Sequence, residues 1–257
     1  MYLSAVRHMH VCKGLHNHYN RQITPRLHLI LRGIKKRQAG MHSRKTRLPI
    51  TIQMLSNIKA LLSEKTPSYY YTTLWAMCCL AFFGFLRVSE FTIPTEGSYD
   101  PSRHLSLSDI AVDNRKKPRL LQLSLKESKA DPFKQGVKVY VGATDSLVCP
   151  IQAVLSYLGR RSKQPGPLFT TKDGNEWTRA MFRAGLKFLM ENLKLDKRRY
   201  NTHSLRIGAA TSASLAKLPD THIQILGRWR SNAFKRYIKP PPIEVANISK
   251  VIAAGHH

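Results

Sequence analysis

One stretch of this chain is apolar without a break, Leu74-Trp-Ala-Met-Cys-Cys-Leu-Ala-Phe-Phe-Gly-Phe-Leu86. Neither a helix nor a strand made of it would have a polar face to turn to water, so the rest of the fold must surround it. It is shorter than the ~20 residues that cross a bilayer, which makes it a core helix rather than a membrane span. We take that helix as running from about Ser68 to Leu86. Ahead of it, Ile52, Leu55, Ile58, Leu61 and Leu62 recur at helical spacing. Behind it, Thr92 to His104 reads as a loop holding Pro94, Gly97 and Pro101. Short strands are predicted at Leu105–Val112, Leu120–Leu125 and Val137–Val141, the last alternating Val-Lys-Val-Tyr-Val. From Pro150 the pattern turns helical, with Ile151–Arg161, Trp177–Asn192, His203–Ala216, Thr221–Leu226 and Ala233–Tyr237, and Asp173-Gly174 marks a turn before the second of these. The expected fold is mainly α with a small three-stranded antiparallel sheet (α+β), in one domain over residues 49–240. Pro240-Pro-Pro242 interrupts the chain, and residues 241–257 are expected to form a C-terminal tail helix.

The first 38 residues are rich in histidine and basic residues, and Leu27, Leu29, Ile30, Leu31 and Ile34 suggest a helix. Residues 39–48 carry Gly40, Arg44, Lys45 and Arg47 and read as a basic linker before Pro49. A segment as short as 1–38 holds too little for its own core, so it reads as the tail of a further helical domain.

Charge narrows the partner. Lys and Arg number 42 against 15 Asp and Glu, a formal net charge of +27. Each cation that meets a phosphate releases a condensed counterion, so such an excess favours nucleic acid. A hydrophobic content of 42% excludes a disordered basic tail. Cys12, Cys78, Cys79 and Cys149 show no metal-ligand spacing and no disulfide framework, which suits a reducing compartment. Met1–Arg7 lacks the apolar run of a secretory leader.

A handful of residues carry chemistry. His203 and Arg206 stand three apart on a predicted helix, hence on one face. An arginine fork grips two phosphate oxygens and keeps its charge at any working pH. Taken alone, His-x-x-Arg also fits a solvated surface helix. Arg87, in Gly84-Phe-Leu-Arg87-Val-Ser-Glu90, offers a second fork. Two such cations aimed at one phosphorus would stabilise the charge that develops there. Tyr237 follows Lys235 and Arg236. A phenol of ordinary pKa near 10 attacks poorly, so it needs a cationic pocket. Lys129 lies in the turn between the last two strands and could protonate a leaving hydroxyl, with Lys126 and Lys134 as rivals.

In this order, Arg87, Lys129, His203-x-x-Arg206, Leu226-Gly227 and Tyr237 resemble the tyrosine recombinase (phage integrase) superfamily. The phrases Gly84-Phe-Leu-Arg87-Val-Ser-Glu90, Ser128-Lys129-Ala-Asp131 and Gly227-Arg-Trp-Arg-Ser-Asn-Ala-Phe-Lys-Arg-Tyr-Ile238 look like eukaryotic Crypton and DIRS-type transposon recombinases. The resemblance implies the catalytic-domain fold of those enzymes, and it implies roles. Arg87 and Arg206 would clamp the scissile phosphate, with His203 assisting proton transfer. Lys129 would be the general acid, and Tyr237 would form a 3′-phosphotyrosyl link. Glu90 would support the site from behind. Where many members carry His or Trp directly after the glycine, this chain has Arg228, then Trp229. Arg228 is our choice for the sixth position, and Trp229 is expected to pack.

The resemblance also implies double-stranded DNA as partner, a homotetramer on DNA, no membrane, no metal and no cofactor, and nuclear localisation. Residues 1–38 would be the remnant of an N-terminal core-binding helical domain that, in the family, completes a clamp around DNA. Three other readings compete with a recombinase. They are a catalytically impaired DNA-binding remnant, a type IB topoisomerase and a basic RNA-binding protein.

Overall fold

A computed structural model describes residues 2–15, 24–41, 47–114, 116–127 and 135–236. The chain divides into two compact units, Met1–Thr46 and Arg47–His257. The first holds helices α1 (Tyr2–Cys12) and α2 (Pro25–Met41). Helix α2 continues through Ala39–Met41, the first residues of the expected linker. It starts at a proline, whose fixed φ and missing N–H suit a first helical turn.

The second unit is built around the apolar run. Helix α3 (Ile52–Glu64) begins at Thr51, whose hydroxyl accepts from the Met54 N–H at 3.2 Å. Helix α4 (Tyr69–Phe83) begins in the same way at Ser68, which accepts from the Tyr71 N–H at 3.1 Å. Every residue from Thr73 to Phe82 is buried. The helix ends at Phe83, short of the expected Leu86. The Gly84 N–H closes back on the Leu80 carbonyl, and Phe85 takes a left-handed φ of 49°. Without that break Arg87 would lie on α4; with it, Arg87 caps a new four-residue helix, α5 (Val88–Phe91).

The sheet is an antiparallel meander of β1 (Ile110–Val112), β2 (Leu120–Leu125) and β3 (Val137–Gly142), with β2 in the middle. Register pairs Ile110 with Leu123 and Leu123 with Val139. Leu121, Leu123, Leu125, Val139 and Val141 enter the core, while Leu120 and Tyr140 face water, as the period of two requires. The first strand is shorter than expected. Asp109 accepts from the Ser106 N–H at 2.7 Å and winds Leu107–Asp109 into a 3₁₀ turn.

Helix α6 (Pro150–Leu158) packs against α4 and β3. Helix α7 (Arg179–Asn192) is capped by Thr178, and α8 (His203–Leu215) packs against α4 and α3. Helix α9 (Asp220–Leu226) leads into a 3₁₀ turn over Asn232–Arg236, where a last helix was expected. Chain entry beside α8 is close. The Ile50 N–H donates to the Ser204 carbonyl at 3.0 Å, and a Cβ on Gly208 would fall inside the Ile50 carbonyl. Only glycine fits there. The call on residues 241–257 lies outside the described residues.

Candidate active site

The break after α4 sets up the site. Glu90, at the third position of α5, accepts from the Arg87 N–H at 2.8 Å and from the Arg87 guanidinium at 2.9 Å. A carboxylate in a first helical turn is well placed against the orphan N–H groups there. Arg228 reaches the same carboxylate at 2.8 Å, from 138 residues away. It also donates to the carbonyls of Gly84 and Phe85, each at 3.2 Å.

Arg206 projects from the first turn and a half of α8. Its guanidinium donates to the Phe85 carbonyl and to the Gly227 carbonyl. It is 1% exposed. The Trp229 ring covers it, with the guanidinium carbon 4.4 Å from the ring centroid, a cation–π contact. Trp229 in turn packs on Phe85 and Phe234. Arg228 has a left-handed φ of 53°, so both chain segments that supply carbonyls to Arg206 turn through left-handed residues. Non-glycine residues hold such a conformation only where the surroundings impose it. Gly227 is fixed by the same packing, because a Cβ there would overlap the Trp229 ring.

His203 opens α8, and its N–H donates to Asn201 Oδ1 at 2.9 Å. Burial lowers its imidazole pKa, and the charges of Arg206 and then Arg87 lower it further. It is therefore neutral at pH 7. Burial alone would raise the Glu90 carboxyl, but Arg228, followed by the Arg87 N–H and guanidinium, holds it below its ordinary value. Burial lowers the Arg228 guanidinium, and the Glu90 charge opposes that. Glu90 stays ionised and Arg228 stays charged. The cluster thus sets three guanidinium groups and an imidazole around one buried carboxylate, a local positive excess suited to an anion.

Of the six site residues expected from the sequence, Arg87, His203, Arg206 and Arg228 come together here. Lys129 and Tyr237 lie outside the described residues. Of Lys129's rivals, Lys126 is committed elsewhere. Its ammonium sits 2.6 Å from Asp109 and 2.7 Å from the Pro101 carbonyl, tying the base of the β2–β3 hairpin to the preceding loop. Lys134 lies outside the described residues. Sequence reasoning missed Phe85, Gly227 and the Trp229 lid over Arg206. The only signal for them was the density of aromatic and glycine residues beside the arginines. Among the described residues no group of three His, Cys, Asp or Glu could hold a metal ion. No described helix is long and apolar enough to cross a membrane.

No protein-family model matches the sequence, and no curated protein does. Solved structures do match. The XerH site-specific recombinase bound to its palindromic difH substrate, in a post-cleavage complex, superposes with a TM-score of 0.60 at 12% identity. That match covers 82% of this chain and 55% of XerH, so the chain spans about half of the neighbour's length. The XerA recombinase follows at TM-score 0.56 and 15% identity, over 81% of this chain and 64% of XerA. The Tn1549 transposon integrase in complex with transposon right end DNA gives 0.53 at 14%, over 83% of this chain and 68% of that protein. The fold is that of a tyrosine recombinase catalytic domain.

Proposed function

We propose that this chain cuts and rejoins DNA strands site-specifically through a 3′-phosphotyrosyl intermediate. The observation that carries the reading is the Glu90 cluster. Three arginines and a histidine from three distant stretches converge there on one buried carboxylate, within the fold shared by XerH, XerA and the Tn1549 integrase.

In this reading Arg87, the more exposed of the clamp pair, takes the scissile phosphate first. Arg206 reaches it when Trp229 swings off its guanidinium. Until then it holds the Phe85 and Gly227 carbonyls and adds its charge to the floor of the site. Arg228, tied to Glu90, does the same. The Tyr237 oxygen attacks phosphorus and the bond to the 5′ oxygen breaks. Lys129 supplies the proton to that leaving oxygen. Neutral His203 can take up the phenol proton or donate to a phosphate oxygen. A new 5′-hydroxyl then reverses the attack and frees Tyr237. The phosphotyrosine bond keeps the energy of the broken linkage, so the chemistry calls for no nucleotide or metal.

The motifs around Arg87 and Gly227 support a Crypton or DIRS-like transposon origin, and with it a nuclear location. The family pattern supports a homotetramer on two duplexes, with residues 241–257 docking on a neighbour. Nicked DNA duplexes test the chemistry, because nicking near the target traps the covalent adduct. A protein–DNA band on a denaturing gel, lost in Tyr237→Phe, is the expected result. Salt-sensitive DNA binding with no adduct would replace this reading with a DNA-binding remnant.

A further inference from the structure

A second cationic site lies outside the Glu90 cluster. A cavity of about 410 Å³ opens between the start of the second unit, helix α7 and the segment leading into α8. That size falls at the lower end of the ~300–1,000 Å³ usual for ligand pockets. Helix α7 contributes Arg183 and Lys187, one turn apart on an exposed face. Arg47 enters from the other side, its guanidinium donating to the Arg198 carbonyl at 2.6 Å. The neighbouring Leu48 N–H holds the Arg199 carbonyl at 3.0 Å, so this wall is pinned at two points. Lys197 and Arg198 complete the set of five cations. Lys197 pairs with Glu191, and Arg198 with Asp196 at 3.0 Å, in solvent-exposed contacts. Among the described residues none pairs with Arg183 or Lys187. A surplus of three cations therefore faces the cavity.

The neutral lining also points to an anion. Tyr200, Asn201 and Thr202 form the wall next to α8. Asn201 accepts from the His203 N–H through its oxygen, which leaves its amide nitrogen as a donor. Thr202 precedes the helix without its hydroxyl capping it. Hydroxyls, amides and cations of this kind are the usual contacts to DNA phosphate oxygens. The cavity offers no exposed apolar floor for a peptide side chain, since Leu186, its one aliphatic lining residue, is 2% exposed.

We infer that this pocket binds a backbone phosphodiester of the DNA flanking the cut, and so sets the register of the strand over the Glu90 cluster. The inference rests on the reading of DNA as substrate. Asn201 couples the two sites, touching the pocket with one end of its amide and His203 with the other. A phosphate seated there fixes the chain two residues from the imidazole.

Fluorescence anisotropy with a short random-sequence duplex tests it, between about 50 and 200 mM salt. Wild type is compared with Arg183→Gln/Lys187→Gln and with Lys163→Gln/Lys172→Gln, which removes equal charge elsewhere. Circular dichroism checks that all three fold. The slope of log affinity against log salt should fall by about 2 in the pocket variant, one per lost phosphate contact, and stay closer to wild type in the control. A single neutral methylphosphonate in the duplex should weaken wild type at one position and leave the pocket variant unchanged there. Equal slopes in the two variants, with wild type still binding DNA, would overturn the pocket and spare the DNA reading. Absence of DNA binding by wild type would overturn both. Inorganic pyrophosphate that binds wild type, but not the pocket variant, without competing with DNA would reassign the pocket to a free polyanion.

Discussion

The Glu90 cluster and the α7 pocket are built from the same residue types and obey different physics. At Glu90 the charges are desolvated. The Glu90 side chain is 2% exposed and that of Arg228 12%. Nearly every guanidinium nitrogen there faces a carboxylate or a carbonyl. In the α7 pocket the side chains of Lys197 and Arg198 are 48% and 72% exposed, and their ion pairs are open to solvent. Exposed pairs contribute about 0–1 kcal/mol and are screened by salt. Buried ones depend on complete pairing, because a stranded charge cannot recruit water. The first region should therefore govern stability and the second should govern salt-dependent binding.

Removing the shared carboxylate attacks the contrast hardest. Glu90→Ala leaves the Arg228 guanidinium buried against Arg87 with no counter-charge, and takes the cap from α5. The expected cost is about 3–5 kcal/mol in urea unfolding. Arg183→Gln/Lys187→Gln, with a larger change in net charge, should stay within about 0.5 kcal/mol of wild type. Equal losses in the two variants would mean that the Glu90 cluster is solvated in practice and the distinction fails.

The Trp229 lid gives a smaller and more local effect. Trp229→Leu keeps apolar bulk and removes the ring over Arg206, so the loss should approach the ~2 kcal/mol of a desolvated cation–π contact. The same ring makes Gly227 obligatory. Gly227→Ala should be costly in the native chain and partly rescued in the Trp229→Leu background. That non-additivity is read from a double-mutant cycle. Additive losses would show that the ring does not fill the space beside Gly227.

These residues also mark where the sequence stopped being legible. The core helix, the three strands and the helices after Pro150 followed from periodicity, because burial on one face leaves a pattern in the chain. The order of Arg87, His203, Arg206 and Arg228 was legible as chemistry. The way they meet was not. It depends on Gly84 ending α4, on left-handed turns at Phe85 and Arg228, and on two backbone carbonyls, none of which has a residue signature. A left-handed phenylalanine or arginine contradicts local preference and is imposed by packing that only the folded chain contains. The α7 pocket was missed for another reason. Arg183 and Lys187 read as an ordinary solvated helix face until Arg47 and the turn before α8 are brought opposite them.

The smallest effect separates the regions by the variable each responds to. Burial, Arg206 and Arg87 hold His203 below its ordinary value of 6.5. In the unfolded chain the imidazole takes up a proton near that pH; in the folded protein it does so only at lower pH. The folded state then binds fewer protons across the interval, so stability is fully present above about 6.5 and is lost as the pH falls toward the folded value. His203→Gln should remove this part of the acid sensitivity, seen as a smaller drop in unfolding free energy between about pH 7 and pH 5.5. In the α7 pocket the lining cations, lysines and arginines, do not titrate in that range, so the pocket variant should keep the wild-type pH dependence and lose salt dependence instead. A pH profile shared by wild type and His203→Gln would place the imidazole in solvent, away from Arg206 and Arg87, and would remove it from the phosphate site along with the contrast.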